Sequence, residues 1–217
     1  MTTLLLAGAT GLVGSHALSL LLADGRVTQI IAPTRRPLPA HPRLHNPLVE
    51  ADSLPSSADW WSVDGAICAL GTTRAKAGSA AAFRAIDHDY VLEVARAVKA
   101  RGCPRFALTS SMGANARAPF LYARTKGEVE QAVAGLGFPS FTIVRPGLLG
   151  GARDEHRPLE KAAERLLALA APILPAGARI SPAETVARLL VEAAISGAGG
   201  RHILTATDIS RAASIRA

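Results

Sequence analysis

The sequence predicts a doubly wound α/β domain, with a parallel sheet and a small C-terminal extension. Three observations predict it. Short, continuously apolar runs rich in Leu, Ile and Val alternate with longer stretches of helical periodicity. The apolar runs lack polar/apolar alternation, so each expected strand is covered on both faces, as parallel strands are. A glycine-rich turn stands directly between the first strand and the first helix. The 217 residues suit one domain, and a hydrophobic share of 49% supplies a core. Aromatics are only 4%, so Leu, Ala and Val must fill it.

"TLLLAG" (3–8) is the first strand, closed by glycine. "SHALSLLLAD" (15–24) carries Ala17, Leu18, Leu21 and Leu22 at helical spacing and stops before Gly25. "VTQIIAPT" (27–34) is a second buried strand. Residues 35–57 are crowded with proline and read as loop, with a short third strand between Leu44 and Val49. "DGAICALG" (64–71) is the fourth strand. The helix over 81–102 aligns Phe83, Ile86, Tyr90, Val94 and Val98 on one stripe. "PRFALTSS" (104–111) is the fifth strand, "LYARTKGEVEQAVAGLG" (121–137) a helix, and "FTIVRPG" (141–147) the sixth strand. Helices follow over 157–171 and 182–196, the second with Pro182 at its start. "HILTA" (202–206) is a last strand. The chain reads as a single unit, 1–217, with a ligand-binding core over 1–147 and helices on the substrate side over 148–217.

Composition excludes several classes. The 24 basic and 17 acidic residues give a net charge of +7, yet the arginines are scattered and no basic run interleaves with aromatics. A solvated basic surface is expected, attractive to anionic ligands but not a nucleic-acid site. Cys68 and Cys103 make no disulfide framework, which points to a reducing cytoplasm. No apolar run is long enough to cross a bilayer, which takes about 20 residues. The six histidines are dispersed, and His41 and His45 lie in the proline-rich loop without a neighbouring cysteine, so no metal site is expected. The segment after the sixth strand contains Arg153, a candidate for an anionic substrate group.

"GATGLVG" places Gly8, Gly11 and Gly14 between strand and helix. One glycine permits the tight turn, one lets the backbone approach a pyrophosphate, and one lets the helix pack closely on the strand. The anion then meets the free N–H groups and positive dipole of the helix N-terminus. The spacing is G-x-x-G-x-x-G, not the G-x-G-x-x-G of the dehydrogenase fingerprint. Strand two ends in "APTRRP", without the carboxylate that bonds the ribose 2′-OH of NAD. Arg35 stands 21 positions after Gly14, with Arg36 next. Guanidinium suits bidentate phosphate recognition, so NADP is expected ahead of NAD.

The glycine turn, "ALGTTR" (69–74), "LTSS" (108–111), "YARTK" (122–126) and "VRPG" (144–147) stand in order at strand ends or on the following helix. Together they resemble the short-chain dehydrogenase/reductase superfamily in its extended, atypical branch, and its NAD(P)-binding Rossmann proteins of the Tat-interacting-protein type. The resemblance covers nearly the whole chain. It implies that Gly8, Thr10, Gly11, Leu12, Val13 and Gly14 cradle the pyrophosphate. Leu70 and Gly71 would line the adenosine side. Val144, Pro146 and Gly147 would pack by the nicotinamide, with Arg145 structural. Tyr122 would exchange the proton, Lys126 would hold the nicotinamide ribose, and a serine after strand five would polarise the carbonyl. Ser110 and Ser111 both qualify, and alternation along an extended segment favours Ser111. Asp87 stands where many relatives carry Asn, which puts its role in doubt.

The resemblance therefore implies an NADP-dependent oxidoreductase of a carbonyl/alcohol pair, with Ser111, Tyr122 and Lys126 as its catalytic set. Tyrosine titrates at about 10, and a cation within a few ångströms favours the phenolate. Lys126, one helical turn from Tyr122, supplies that charge. Two other readings stand beside this one. The first is a non-catalytic NADPH sensor that binds a protein partner. The second is a nucleotide-sugar epimerase or dehydratase, disfavoured by the short chain after "VRPG". The expected partner is a small carbonyl or alcohol, with no nucleic acid and no membrane, for a monomer or dimer.

Overall fold

The structure, a computed structural model, describes residues 2–50, 54, 55, 57–150 and 180–215. Seven parallel strands form one sheet in the order β3-β2-β1-β4-β5-β6-β9. They are β1 (Thr2–Ala7), β2 (Val27–Ile31), β3 (Leu44–His45), β4 (Gly65–Cys68), β5 (Arg105–Thr109), β6 (Ser140–Val144) and β9 (Gly200–Leu204). The order runs outward from β1 in one direction and from β4 in the other, so the chain reverses between them. That switch point is where ligands bind in doubly wound sheets, beyond the carboxyl ends of the strands.

Side chains alternate across each strand, which explains the unbroken apolar runs. Leu4 and Leu6 face one layer, with Ile30, Ile67 and Val144. Helices α1 (Leu12–Ala23) and α6 (Ala183–Ser196) cover that layer and add Ala17, Leu21, Val186 and Leu190. Leu5 and Ala7 face the other layer, with Cys68, Phe106, Leu108 and Ile143. Helices α4 (Tyr90–Ala100) and α5 (Leu121–Ala134) cover it with Val91, Val94, Val98, Val129 and Val133. Burying a side chain of this size contributes roughly 1.5–3 kcal/mol.

The structure differs from the sequence expectations at several places. Helix α1 begins at Leu12 rather than Ser15, because extended Gly11 already forms its N-cap. Its carboxyl end is held from the proline-rich loop, where the Arg43 guanidinium donates to the carbonyls of Leu22, Asp24 and Val27. The short third strand is present as Leu44–His45, and pairing resumes between Thr34 and Leu48.

The helix expected over 81–102 is broken into α3 (Ala80–Arg84), one wide turn of π geometry over Ala85–Asp89, and α4. A wide turn advances more residues per revolution than an α turn. The buried stripe therefore passes through Asp87, and Ile86 is left exposed. Before it lies the short helix α2 (Arg74–Ala77).

Helix α6 was expected on the substrate side. It packs instead into the core against α1 and the sheet, because Val186, Leu190, Val191 and Ala194 form an apolar stripe. A small parallel pair, β7 (Leu149–Gly150) with β8 (Ser181–Pro182), lies outside the main sheet. Helix α7 (Ala206–Ser214) follows β9 and was not expected. It opens with a capping box in which Thr205 and Asp208 satisfy each other's backbone N–H groups. The helix expected over 157–171 and the candidate Arg153 lie outside the described residues.

Candidate functional site

The three glycines divide the labour of the turn. Gly8 has φ +88°, a left-handed conformation that disfavours side chains, and a Cβ there would lie 2.8 Å from the backbone of Ala69. A Cβ on Gly14 would lie 1.9 Å from the Gly8 carbonyl oxygen, so α1 packs against the turn at backbone contact. Gly11 is different: it is exposed, and the nearest atom to its Cβ would be the Gly8 oxygen at 3.3 Å. The turn is less crowded there than at Gly8 or Gly14, at the head of a helix without a side-chain cap. Its first-turn N–H groups have no intrahelical acceptor, which suits an anion.

Thr10 is exposed beside Gly11, whereas Leu12 packs against the core and Val13 is buried in it. The expectation that Leu12 and Val13 line the pyrophosphate therefore holds at most for their backbone N–H groups.

Beyond β2, Arg35 and Arg36 are both exposed and make no ion pair among the described residues. Their turn is built by buried Thr34, whose hydroxyl donates to the Arg36 carbonyl at 2.6 Å and accepts from Asn46 Nδ2 at 2.8 Å. Beyond β4, Leu70 packs on the core and Gly71 is exposed, with the Lys126 ammonium and an Asp87 oxygen each 3.5 Å from its notional Cβ.

The two serines after β5 separate cleanly. Ser110 Oγ donates to Glu130 Oε1 at 2.5 Å, and Glu130 is buried. Arg145 grips the same carboxylate with two hydrogen bonds, Nε to Oε1 at 2.9 Å and Nη2 to Oε2 at 2.5 Å. That pair keeps the Arg145 guanidinium firmly protonated. Ser110 is thus part of a clamp joining β5, β6 and α5. Ser111 is buried, and its hydroxyl has no partner among the described residues.

Helix α5 lies along the wide turn as a ladder. The rings of Tyr122 and Phe83 are 5.7 Å apart between centroids. One helical turn on, the Lys126 ammonium lies 2.7 Å from Asp87 Oδ1, both groups shielded from water. Asp87 Oδ2 accepts the Thr72 N–H at 2.8 Å, tying the β4 end into the same pair. The doubt about Asp87 is thereby resolved: a carboxylate here serves as counter-ion to the lysine. Tyr122 is half exposed, and no hydrogen bond joins it to Lys126 among the described residues.

Beyond β6, Val144 was expected beside the nicotinamide, but its side chain belongs to the core. Pro146 is buried, its carbonyl accepting the Met112 N–H at 2.8 Å. The Gly147 N–H donates to Ser181 Oγ at 3.0 Å. Cys68 takes no part: burial pushes its thiol up to about 12. Sequence reasoning missed Glu130, although it stands four residues after Lys126 and eight after Tyr122 on one helix face. A carboxylate in the apolar stripe with Val129 and Val133 was the available signal.

All these groups converge on the carboxyl edge of a parallel sheet, around a glycine turn at the switch point. This arrangement defines a Rossmann-type dinucleotide-binding domain. The chain belongs to the NAD(P)H-binding family, whose pattern it matches over residues 8–196. It is 34% identical over 230 residues to the mitochondrial protein fmp52 of Aspergillus clavatus, covering 97% of this chain and 98% of the relative. It is 39% identical over 171 residues to mitochondrial fmp52 of Emericella nidulans, covering 75% and 73%.

The fold is shared with the solved structure of MoeE5 in complex with UDP-glucose and NAD, at a TM-score of 0.69 and 19% identity, covering 99% of this chain and 82% of that one. The relatives' names overturn the cytoplasmic expectation and point to mitochondria. Two buried cysteines without a disulfide do not say which compartment holds the protein.

The site fits the nicotinamide dinucleotide that the family implies. Gly11 stands exposed at an uncapped helix head, and Ser111 keeps a buried hydroxyl without a partner among the described residues.

Proposed function

We propose that this protein is an NADP-dependent oxidoreductase acting on a carbonyl/alcohol pair, with Ser111, Tyr122 and Lys126 as the working set. The observation that carries the reading is the place of Ser111 just past β5 beside a Ser110 already committed to Glu130, with its buried hydroxyl, like those of Thr109, Thr125 and Ser140, without a partner among the described residues. Orphaned buried hydroxyls are costly and call for a partner; a substrate carbonyl would be one.

Gly8, Thr10, Gly11 and the N–H groups opening α1 would hold the pyrophosphate, and Arg35 with Arg36 a 2′-phosphate. Gly71, Pro146 and Gly147 would flank the rest of the cofactor. When bound, the nicotinamide supplies or accepts the hydride. The chain's own residues do the remainder. Ser111 orients the carbonyl oxygen by hydrogen bonding. Tyr122 exchanges a proton with that oxygen. Lys126, held by Asp87, presents its ammonium to the tyrosine and the ribose.

Because Asp87 neutralises part of the lysine's charge, positioning carries more of the lysine's contribution than charge does. The test is a fluorescence titration with NADPH and NADH, followed by a carbonyl screen. NADPH should bind at least tenfold more tightly, and an Arg35→Ala, Arg36→Ala pair should erase the difference. Equal affinities in the wild type would remove the NADP assignment. Tight NADPH binding without turnover of any carbonyl would defeat the oxidoreductase reading.

A further inference from the structure

We propose that Glu130 is a positioning residue for the reaction, its carboxylate holding Ser111 on the sheet edge in register with Tyr122 and Lys126 on α5. The inference rests on the reading of those three residues as the working set. It gives a task to a buried charge that the reaction itself does not use.

Tyr122, Lys126 and Glu130 are spaced by four along α5, so they share one face. Each meets a different element. Tyr122 rests on Phe83 of α3, and Lys126 pairs with Asp87 of the wide turn. Glu130 reaches the sheet: its Oε1 accepts from Ser110 Oγ and Arg145 Nε, and its Oε2 from Arg145 Nη2. The loop beyond Ser111 meets the first half of the helix. There the Asn115 N–H donates to the Ala123 carbonyl at 3.0 Å, and Gly127 lies against the Asn115 backbone. Among the described residues, Glu130 makes the side-chain hydrogen bonds that join α5 to the strand ends.

Its partners are themselves fixed. The Ser110 N–H donates to the Val144 carbonyl and the Met112 N–H to the Pro146 carbonyl, each at 2.8 Å. Both neighbours of Ser111 are thus tied to the chain of β6. The Arg145 N–H donates to the Leu204 carbonyl at 2.8 Å, which extends the frame to β9. Three adjacent strands converge on one carboxylate of α5, through the residue next to Ser111.

Stability alone does not explain this arrangement. Glu130 is buried on a helix whose Val129 and Val133 join the core. An apolar side chain would pack there without desolvating a charge, and exchanging a buried ion pair for apolar residues is often neutral or stabilising. Apolar contacts fix a single register poorly, whereas a buried polar tie fixes it well. Here register decides whether the Ser111 hydroxyl and the Tyr122 phenol meet the same carbonyl oxygen.

The experiment measures kcat with 4-nitrobenzaldehyde and NADPH per cofactor site, the sites being counted by NADPH titration of each preparation. Glu130→Gln keeps the shape of the side chain and removes its charge. Its kcat per site should fall about 10–100-fold, the scale of a misplacement of about 1 Å, while the Kd for NADPH stays within about twofold. Ser110→Ala leaves the Glu130–Arg145 pair intact and should cause a smaller loss of the same kind. In the double variant the two losses should not add, because both cut one tie. Leu190→Ala, on α6 across the sheet, should lower the melting temperature and keep kcat per site, which separates positioning from loss of stability. Unchanged kcat per site in Glu130→Gln, additive losses in the double variant, or an equal fall in Leu190→Ala would each overturn the proposal and leave the oxidoreductase reading standing. If the wild type oxidises no NADPH with this aldehyde or any other carbonyl, that reading fails and the proposal falls with it.

Discussion

Asp87 Oδ1 and Lys126 Nζ lie 2.7 Å apart, on the wide turn and on α5, with both side chains buried. Neither element could bring this charge inward alone. A buried ammonium without a counter-ion is strongly disfavoured, and the same holds for a buried carboxylate. The pair therefore locks two helices in register and places the lysine at the end of β4.

The first prediction follows from that lock. Asp87→Ala leaves Lys126 buried without its counter-ion and should cost about 3–5 kcal/mol. Asp87→Asn still offers an oxygen to the Thr72 N–H and should cost clearly less. Urea unfolding of both variants measures the difference. Equal, small losses would mean that Lys126 swings to water without penalty.

The glycine turn gives a graded prediction. Gly14→Ala drives a methyl into the Gly8 carbonyl, and Gly8→Ala forces a side chain into φ +88° against Ala69. Both should lower the melting temperature by several degrees, since roughly each 1 kcal/mol shifts it by about 2–4 °C in a chain of this size. Gly11→Val meets the Gly8 oxygen at 3.3 Å and the Ala69 oxygen at 3.9 Å, and should lower the melt less than either while abolishing NADPH binding. Normal NADPH affinity in Gly11→Val would place the cofactor elsewhere.

Much of this was legible in the sequence because it is local. The apolar runs named the strands, and their lack of alternation predicted a sheet covered on both faces. GATGLVG marked the turn, and Y-x-x-x-K marked one helix face. What was hidden is tertiary. The wide turn at 85–89 changes which residue is buried, and no periodicity of Phe83, Ile86 and Tyr90 foretold that Asp87 would replace Ile86 inside. Helix α6 was misplaced because an amphipathic stripe says that a face is buried but not against what. Helix α7 was overlooked although T-x-x-D at Thr205 and Asp208 is a capping signature. The compartment was unreadable from two cysteines.

The adjacent serines offer a third prediction. Ser110→Ala removes a hydrogen bond to a charged carboxylate and should cost about 1.5–3 kcal/mol of stability. Ser111→Ala deletes a hydroxyl that has no partner among the described residues and should cost little or nothing. On turnover the order should invert, with Ser111→Ala the more damaging at saturating NADPH. Thermal unfolding and steady-state rates on the same preparations read both halves. If Ser111→Ala retained full turnover, Ser111 would not be the carbonyl's partner.

The last prediction concerns Tyr122. Its ring rests on Phe83 one turn from the Asp87–Lys126 pair, so among the described residues the phenol is held by apolar contact and not by a hydrogen bond. Tyr122→Phe keeps that ring contact and removes one half-exposed oxygen. The fold and the NADPH affinity should therefore be preserved, and the cost should fall on kcat, with KM little changed. Proton-transfer groups are typically worth about 10²–10⁴-fold. Lys126→Ala should behave differently, because it strands Asp87 and removes the ammonium expected to hold the ribose. It should lose stability, cofactor affinity and turnover together. Stopped-flow rates with a saturating carbonyl, alongside NADPH titrations, separate the two patterns. A Tyr122→Phe protein with unchanged kcat would show that the proton comes from another group, and the ladder of α5 against the wide turn would then be structural alone.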